Sequence, residues 1–344
     1  MPVTEPLPAI SQDEVEHIHP VVRGGLALWA LILGFTMLMV GNGLNLAVIG
    51  VRMVDEGFDV QVSGIVMASY FAGFLLGPVM VIRWLSTVGH IRVFASLASL
   101  ASCVVLVHFV WVNPVGWAAL RFVFGFCMAG LYVVVESWLN DASTQRTRGR
   151  TLAVYMIASM GGLGLGQLLV ATGDPGEPVL FVVASVLVSL SFVPVALAAT
   201  TDAPPIKLSP KMGIREFLHL APTGFVGILF TGASHGILFG LAAVYATRAG
   251  FGSGATAAFL ALPSVGAIVF QWPIGPASDR LPRRGVILAV AVAAAGLAIA
   301  LAMTPEGGVA ALPLMFVLGG LTFPLYSLLL SHTLDRSPEG AGMG

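Results

Sequence analysis

Apolar residues along this chain come in long runs, without the regular alternation with polar residues that marks water-facing helices and strands. A helix crossing a bilayer needs about 20 mostly apolar residues. Ten windows meet that length: 25–51, 60–82, 91–112, 115–139, 151–172, 178–199, 217–247, 254–277, 285–303 and 308–331. The polar stretches between them are short. The longest, 200–216, holds Asp202-Ala203-Pro204-Pro205 and then Lys207 and Lys211. Its prolines stop the sixth run and stiffen the connection, dividing the chain after six spans. Roughly the first 20 residues are polar and acidic, with Asp13, Glu14 and Glu16. They lack the basic start and short apolar core of a signal peptide and read as a disordered tail.

Composition agrees. Of 344 residues, 57% are hydrophobic and 10% charged, against about 25% charged in a soluble domain. That is too little polar surface to coat a water-soluble globule, so the class is an all-α polytopic membrane protein. The net charge of −1 says little; its distribution says more. Of 16 Lys and Arg residues, all but Arg52, Arg121 and Arg248 fall in segments on one side of the alternating spans. The positive-inside bias makes that side, and the N-terminus, cytoplasmic in a multi-pass inner (plasma) membrane protein. Cys103 and Cys127 sit inside apolar runs with no metal spacing, as small packing residues. No metal and no cofactor are expected.

The second part of the chain repeats landmarks of the first. At an offset of 193 positions Gly34 falls on Gly227, Asn42 on His235, Gly57-Phe58 on Gly250-Phe251, and Gly73 on Gly266. Six-helix halves that hold a solute between them near the midplane are a transporter arrangement. The second copy has four spans, so the expected layout is a tail at 1–23, a six-helix bundle at 24–199 and a linker at 200–216. A partial bundle at 217–331 and a cytoplasmic end at 332–344 complete it. The sequence reads as a fragment of a twelve-helix protein or a naturally truncated one.

Between the eighth and ninth runs stands Gly275-Pro-Ala-Ser-Asp279-Arg280-Leu-Pro-Arg283-Arg284. Gly-x-x-x-Asp-Arg-x-x-Arg-Arg resembles the loop signature of the major facilitator superfamily (MFS), with Pro282 in place of a usual Gly. Arg121-Phe-Val-Phe-Gly125 resembles the fourth-helix Arg-x-x-x-Gly of that family. The first-half loop departs from the pattern, with Ser86 and Thr87 where Asp and Arg are usual. Gly162-Leu-Gly-Leu-Gly166-Gln167 lacks the Gly-Pro of the antiporters, so no efflux-antiporter label follows. Together with Glu136-Ser-Trp-Leu-Asn140, these features look like a poorly characterised bacterial branch. The resemblance implies an MFS-type bundle, here six helices plus about four, and no enzyme.

Ionisable groups within spans are costly and face a cavity or a partner. Arg121, Gly125, Tyr132 and Glu136 share one face of the fourth helix, with the two charges near opposite ends. Arg121 either snorkels to the outer headgroups or faces the cavity as a cation. Glu136 is an interfacial carboxylate, a proton carrier or, as the resemblance implies, half of a cytoplasmic latch with Arg83. His235, Asn42 and Asn45 mark the midplane of the seventh and first helices. His235 is either a helix–helix hydrogen-bonding residue or part of a substrate or proton site. His108 reads as structural. The substrate and proton cavity is thus assigned Asn42, Asn45, Arg121, Tyr132 and His235. The cytoplasmic gate is assigned Arg83, Glu136, Asp279, Arg280, Arg283 and Arg284.

The function that fits is a secondary transporter moving a small solute by alternating access with proton coupling. The expected partners are that solute, protons and the lipid bilayer; no nucleic acid is expected, and the chain is expected to act as a monomer. The alternative is a membrane-embedded enzyme or regulatory protein. Against it, the spans carry no His-Glu-x-x-His, no paired carboxylates and no P-loop.

Overall fold

The computed structural model describes residues 12–141, 148–198, 218, 221–305 and 307–334. Side chains are described from Leu28 onward, apart from a few positions that include Asp279. The linker at 200–216 and the end at 335–344 lie outside the described residues.

The helices follow the apolar runs. They are α1 (Gln12–Asp55), α2 (Val60–Val88), α3 (His90–Val110), α4 (Pro114–Asp141) and α5 (Arg148–Leu168), which tightens into a 3-10 turn at Leu169–Thr172. Then come α6 (Pro178–Leu190), α7 (Phe192–Ala198), α8 (Pro222–Gly240), α9 (Ala242–Arg248), α10 (Ser253–Arg280), α11 (Arg283–Ala302) and α12 (Ala311–Leu334). Among the described residues 10 helices are long and apolar enough to span a membrane. The ends below are called the Asp55 end and the Arg83 end.

Local chemistry sets the boundaries. Asn113 caps α4, its Oδ1 accepting from the N–H groups of Val115 and Gly116 at 3.0 Å, while Pro114 fills a position where no N–H is needed. The sixth run splits into α6 and α7 at Ser191, because Pro194 has no N–H for the carbonyl of Leu190. The seventh run splits at Leu241. One expectation changes. Helical backbone reaches back to Gln12, inside the stretch read as a tail; Asp13, Glu14 and Glu16 stand in its first turns, where the helix dipole favours acids. Pro313 lies in the first turn of α12, where a missing N–H costs nothing, so Pro324 is the proline within that helix.

The 193-residue offset reappears as geometry. The helix ending at Asp55 closes with Phe58 N–H to Met53 O at 2.9 Å and Gly57 N–H to Val54 O at 3.0 Å. The helix ending at Arg248 closes with Phe251 N–H to Ala246 O and Gly250 N–H to Thr247 O, both 3.1 Å. Gly57 and Gly250 have φ of 73° and 75°, the left-handed conformation this cap requires. The helix pairs agree as well. A methyl on Gly73 would strike the carbonyl of Phe122, and one on Gly125 that of Tyr70; on Gly266 it would strike that of Phe316, and on Gly319 the backbone of Pro263. Bare backbone thus brings α2 onto α4 and α10 onto α12 in the same register.

The copies differ in what covers their first helix. α1 packs on α5 and α6 and scarcely on α4. Its counterpart α8 packs on α12; among the described residues no helix occupies an α5- or α6-like place beside it.

Candidate functional site

The first six spans meet the last four between the Asp55 end and mid-span. Arg248 donates to the carbonyl of Phe58 at 2.6 Å. Gly50 abuts Ala243, Gly164 sits against Ser264, and Gly236 faces the ring of Phe71. Arg52 ties its own end together, bonding Glu56 at 2.6 Å and the carbonyl of Pro175 at 3.1 Å. Toward the Arg83 end Tyr326 of α12 comes within electrostatic reach of Glu136 and Tyr155.

A column of aromatic rings runs down the first unit beside this seam. Tyr70 packs on Phe74 at 5.9 Å between centroids, Phe74 on Tyr132 at 5.9 Å, Tyr132 on Phe35 at 5.5 Å, and Phe35 stacks on Tyr155 at 4.9 Å. One terminus is Arg121, whose guanidinium lies 4.7 Å from the centre of the Tyr70 ring. The other is Glu136, whose carboxylate accepts a 2.6 Å hydrogen bond from the Tyr155 hydroxyl. The two charges on α4 are therefore joined by side chains of four helices.

Arg121 is 1% exposed, and none of its three guanidinium nitrogens has a hydrogen-bond partner. A snorkelling arginine keeps its head in water, so that reading fails; the side chain points inward and is held by a ring face. Tyr132 donates to Met39 Sδ at 3.1 Å and lies 3.5 Å from Ser159 Oγ. Asn42 is 7% exposed. Asn45 is 1% exposed with neither amide atom partnered, as are Gln167 Oε1 on α5 and Ser264 Oγ on α10. These orphaned polar atoms concentrate where α1, α5 and α10 pack.

His235 reaches across to α12. Its Nε2 lies 3.2 Å from the carbonyl of Thr322, and its ring stacks on Phe323 at 4.3 Å, with Phe239 beside both. The helix–helix hydrogen bond is therefore made. Asn42 and His235 hold equivalent places in the sequence without equivalent neighbours, because α8 leans on α12 where α1 leans on α5 and α6. His108 is buried, bonded through Nδ1 to Val104 O at 2.8 Å and edge-on to Trp117. It packs inside the bundle and does not face lipid.

Among the gate residues, Arg83 is exposed, and it does not pair with Glu136, which is held by Tyr155. Arg280 and Arg284 are exposed at the α10–α11 turn, and Arg283 Nε donates to Ser278 Oγ at 3.2 Å. The Asp279 side chain lies outside the described residues. The arginine-rich turn is thus present as one loop between α10 and α11. An apolar groove of about 440 Å³ beside it, lined by Ile274, Leu281 and Val286 among others, holds none of the site residues. Sequence reasoning passed over Tyr70, Tyr155, Phe323 and Tyr326. In apolar runs, rings give no signal that separates packing from lining; Tyr155 shares a face of α5 with Gly162 and Gly166, all three against α1.

Two bundles meeting at one end, a basic turn at the other and glycine-tight pairs α2–α4 and α10–α12 make a recognisable constellation. The Major Facilitator Superfamily model matches residues 30–344. The chain belongs to this superfamily. An uncharacterized MFS-type transporter of Enterobacter sp. (strain 638) is 30% identical over 316 residues, 89% of this chain and 79% of that protein. One from Yersinia pestis (strain Pestoides F) is 30% identical over 285 residues, 80% of this chain and 71% of that protein. Solved MFS structures share the fold at low identity. The nucleoside transporter NupG superposes with TM-score 0.73 at 14% identity, over 92% of this chain and 84% of that one. A bacterial homolog of the human lysosomal transporter Spinster, inward-facing and unoccupied, gives 0.72 at 16%, over 93% and 77%. A D-xylose-proton symporter gives 0.63 at 13%, over 90% and 88%. The protein is a multi-pass, non-enzymatic member of a transporter family.

Proposed function

We propose that this MFS protein is a secondary active transporter that carries a small solute by alternating access, coupled to protons, with the N-terminus and the Arg83 end in the cytoplasm. The observation that carries the reading is the one-sided seam. The bundles touch from the Asp55 end to mid-span, while at the Arg83 end Tyr326 comes within electrostatic reach of Glu136 and Tyr155. With the basic residues placed inside, this arrangement is the inward-open member of a two-state pair. The division at 200–216 into six-helix and partial bundles belongs to this proposal, and so does the chain acting as a monomer.

Site residues take roles within it. Asn42, Asn45, Tyr132 and His235 bracket the solute path near mid-span. Arg121 is a buried charge without a hydrogen-bond acceptor, which is costly in the closed Asp55 end and relieved when that end opens and hydrates. Glu136 and His235 are the titratable groups placed to carry a proton. Arg83 and the turn Asp279–Arg284 serve as the gate that forms when the Arg83 end closes. The experiment is solute uptake by proteoliposomes with and without an imposed proton gradient, comparing wild type with His235→Ala, Arg121→Ala and Glu136→Gln. Gradient-driven uptake that falls at least ten-fold in Arg121→Ala and Glu136→Gln is expected. Wild-type rates in all three variants would remove the site assignment.

A further inference from the structure

The groove beside the arginine-rich turn runs between α10 and α11, apart from the aromatic column and from the seam. It holds about 440 Å³, and its walls are apolar: Pro273, Ile274, Ala277, Leu281, Gly285 and Ala289 among others. The gap exists because α10 and α11 scarcely touch, and Ala277, Gly285 and Ala289 put almost no side chain between them. The lining runs from Leu281 back to Pro273 on α10 and from Pro282 on to Val290 on α11. At 1.5 Å per residue the groove reaches about 12 Å along the helices, most of one leaflet of a hydrocarbon core about 30 Å thick. α11 is the least buried of the spans among the described residues, so the groove lies on a lipid-facing flank. Charge stands at its mouth. Arg280 and Arg284 are each one residue from a lining position, Leu281 and Gly285, and both are exposed. Arg283 opens α11 between them, and the N-terminal dipole of that helix adds positive potential there. Against these three arginines the turn carries one acid, Asp279. The first copy does without this arrangement. At the 193-residue offset Trp84, packed on Phe126 at 5.7 Å, stands in place of Ala277 and Arg92 in place of Gly285. The uncharged Ser86 and Thr87 stand in place of Asp279 and Arg280.

We infer that this groove binds an anionic phospholipid, with the phosphate at the mouth between Arg280 and Arg284 and one acyl chain along Ala277, Gly285 and Ala289. Guanidinium groups match phosphate oxygens in charge and geometry. Acyl chains fill any gap that faces lipid; the paired arginines are what make this one select headgroup charge. A zwitterionic lipid brings a positive group to the same arginines and gains less. The bound lipid bridges α10 and α11 where their own side chains do not meet. The assignment needs only a chain that spans a bilayer, and it goes beyond the transport reading.

The test is native mass spectrometry of the full chain released from detergent micelles, titrated with dioleoylphosphatidylglycerol and dioleoylphosphatidylcholine, which share their acyl chains. Wild type is expected to bind one phosphatidylglycerol about five-fold or more tightly than phosphatidylcholine. Arg280→Gln/Arg284→Gln is expected to bring the two lipids level. Arg83→Gln, at the same end but outside the groove, is expected to keep the preference. Gly285→Leu and Ala289→Leu test the chain site with both arginines intact. A Cβ at Gly285 meets open space, and Ala289 is exposed, so both proteins are expected to stay monodisperse on gel filtration while phosphatidylglycerol weakens about five-fold or more. Equal binding of the two lipids by wild type, a preference that survives the double glutamine variant, or unchanged binding in both leucine variants would overturn the assignment. Displacement of the lipid by sn-glycerol 3-phosphate would overturn it as well, because it would show a phosphate site that does not use the groove.

Discussion

Arg121 has one interaction partner, the face of Tyr70, and three nitrogens without acceptors. A ring face offers about 0.5–2 kcal/mol, less than the cost of burying a charge unpaired. Arg121 therefore does not serve the stability of this state. Arg121→Met is expected to leave the melting temperature in detergent unchanged or raised while uptake falls at least ten-fold. A drop in melting temperature of several degrees would show that the guanidinium holds the bundle together. Tyr155 makes the opposite case. Its hydroxyl donates to a carboxylate at 2.6 Å, a bond of about 1.5–3 kcal/mol. Tyr155→Phe is expected to lower stability within that range and to lose uptake together with it. Wild-type stability and uptake in that variant would place Glu136 outside the mechanism.

At the scale of elements, the helix pairs rest on bare backbone. A side chain at Gly73 or Gly125 meets main-chain carbonyls that cannot move, whereas Gly64 faces open space. Gly73→Leu and Gly125→Leu are expected to abolish monodisperse protein on gel filtration, with Gly266→Leu doing the same in the second copy and Gly64→Leu behaving as wild type. Equal behaviour of all four would mean that these contacts do not set the packing. Much of this was legible in the sequence. Run lengths gave the spans, and Gly57-Phe58 against Gly250-Phe251 gave the repeat, because a left-handed cap needs glycine in both copies. The placement of His235 was not legible. Its neighbours depend on α8 leaning against α12, and an offset read from glycines says nothing about which helix covers which. The partner of Glu136 was missed for a similar reason: the loop pattern pointed to Arg83, while the bond goes to a tyrosine one helix away.

For the whole molecule, the central claim is that the two bundles rock so that the ends open in turn. Symmetry supplies matched label sites at both ends. Val60 and Ser253 begin α2 and α10 at the Asp55 end, while at the other end Val88 is the last residue of α2 and Leu281 follows α10; all four are exposed, and each pair is related by the 193-residue offset. The Gly50–Ala243 approach makes the same claim at closer range. In a background with Cys103 and Cys127 replaced, a Gly50→Cys/Ala243→Cys disulfide is expected to stop uptake until reduced. The most direct measurement is pulsed electron–electron distance spectroscopy on spin-labelled Val60→Cys/Ser253→Cys and Val88→Cys/Leu281→Cys in liposomes. The account predicts two populations at each end, with a short Val60–Ser253 distance accompanying a long Val88–Leu281 distance and the reverse, their ratio shifting with pH or bound solute. A single fixed distance at both ends under every condition would contradict it.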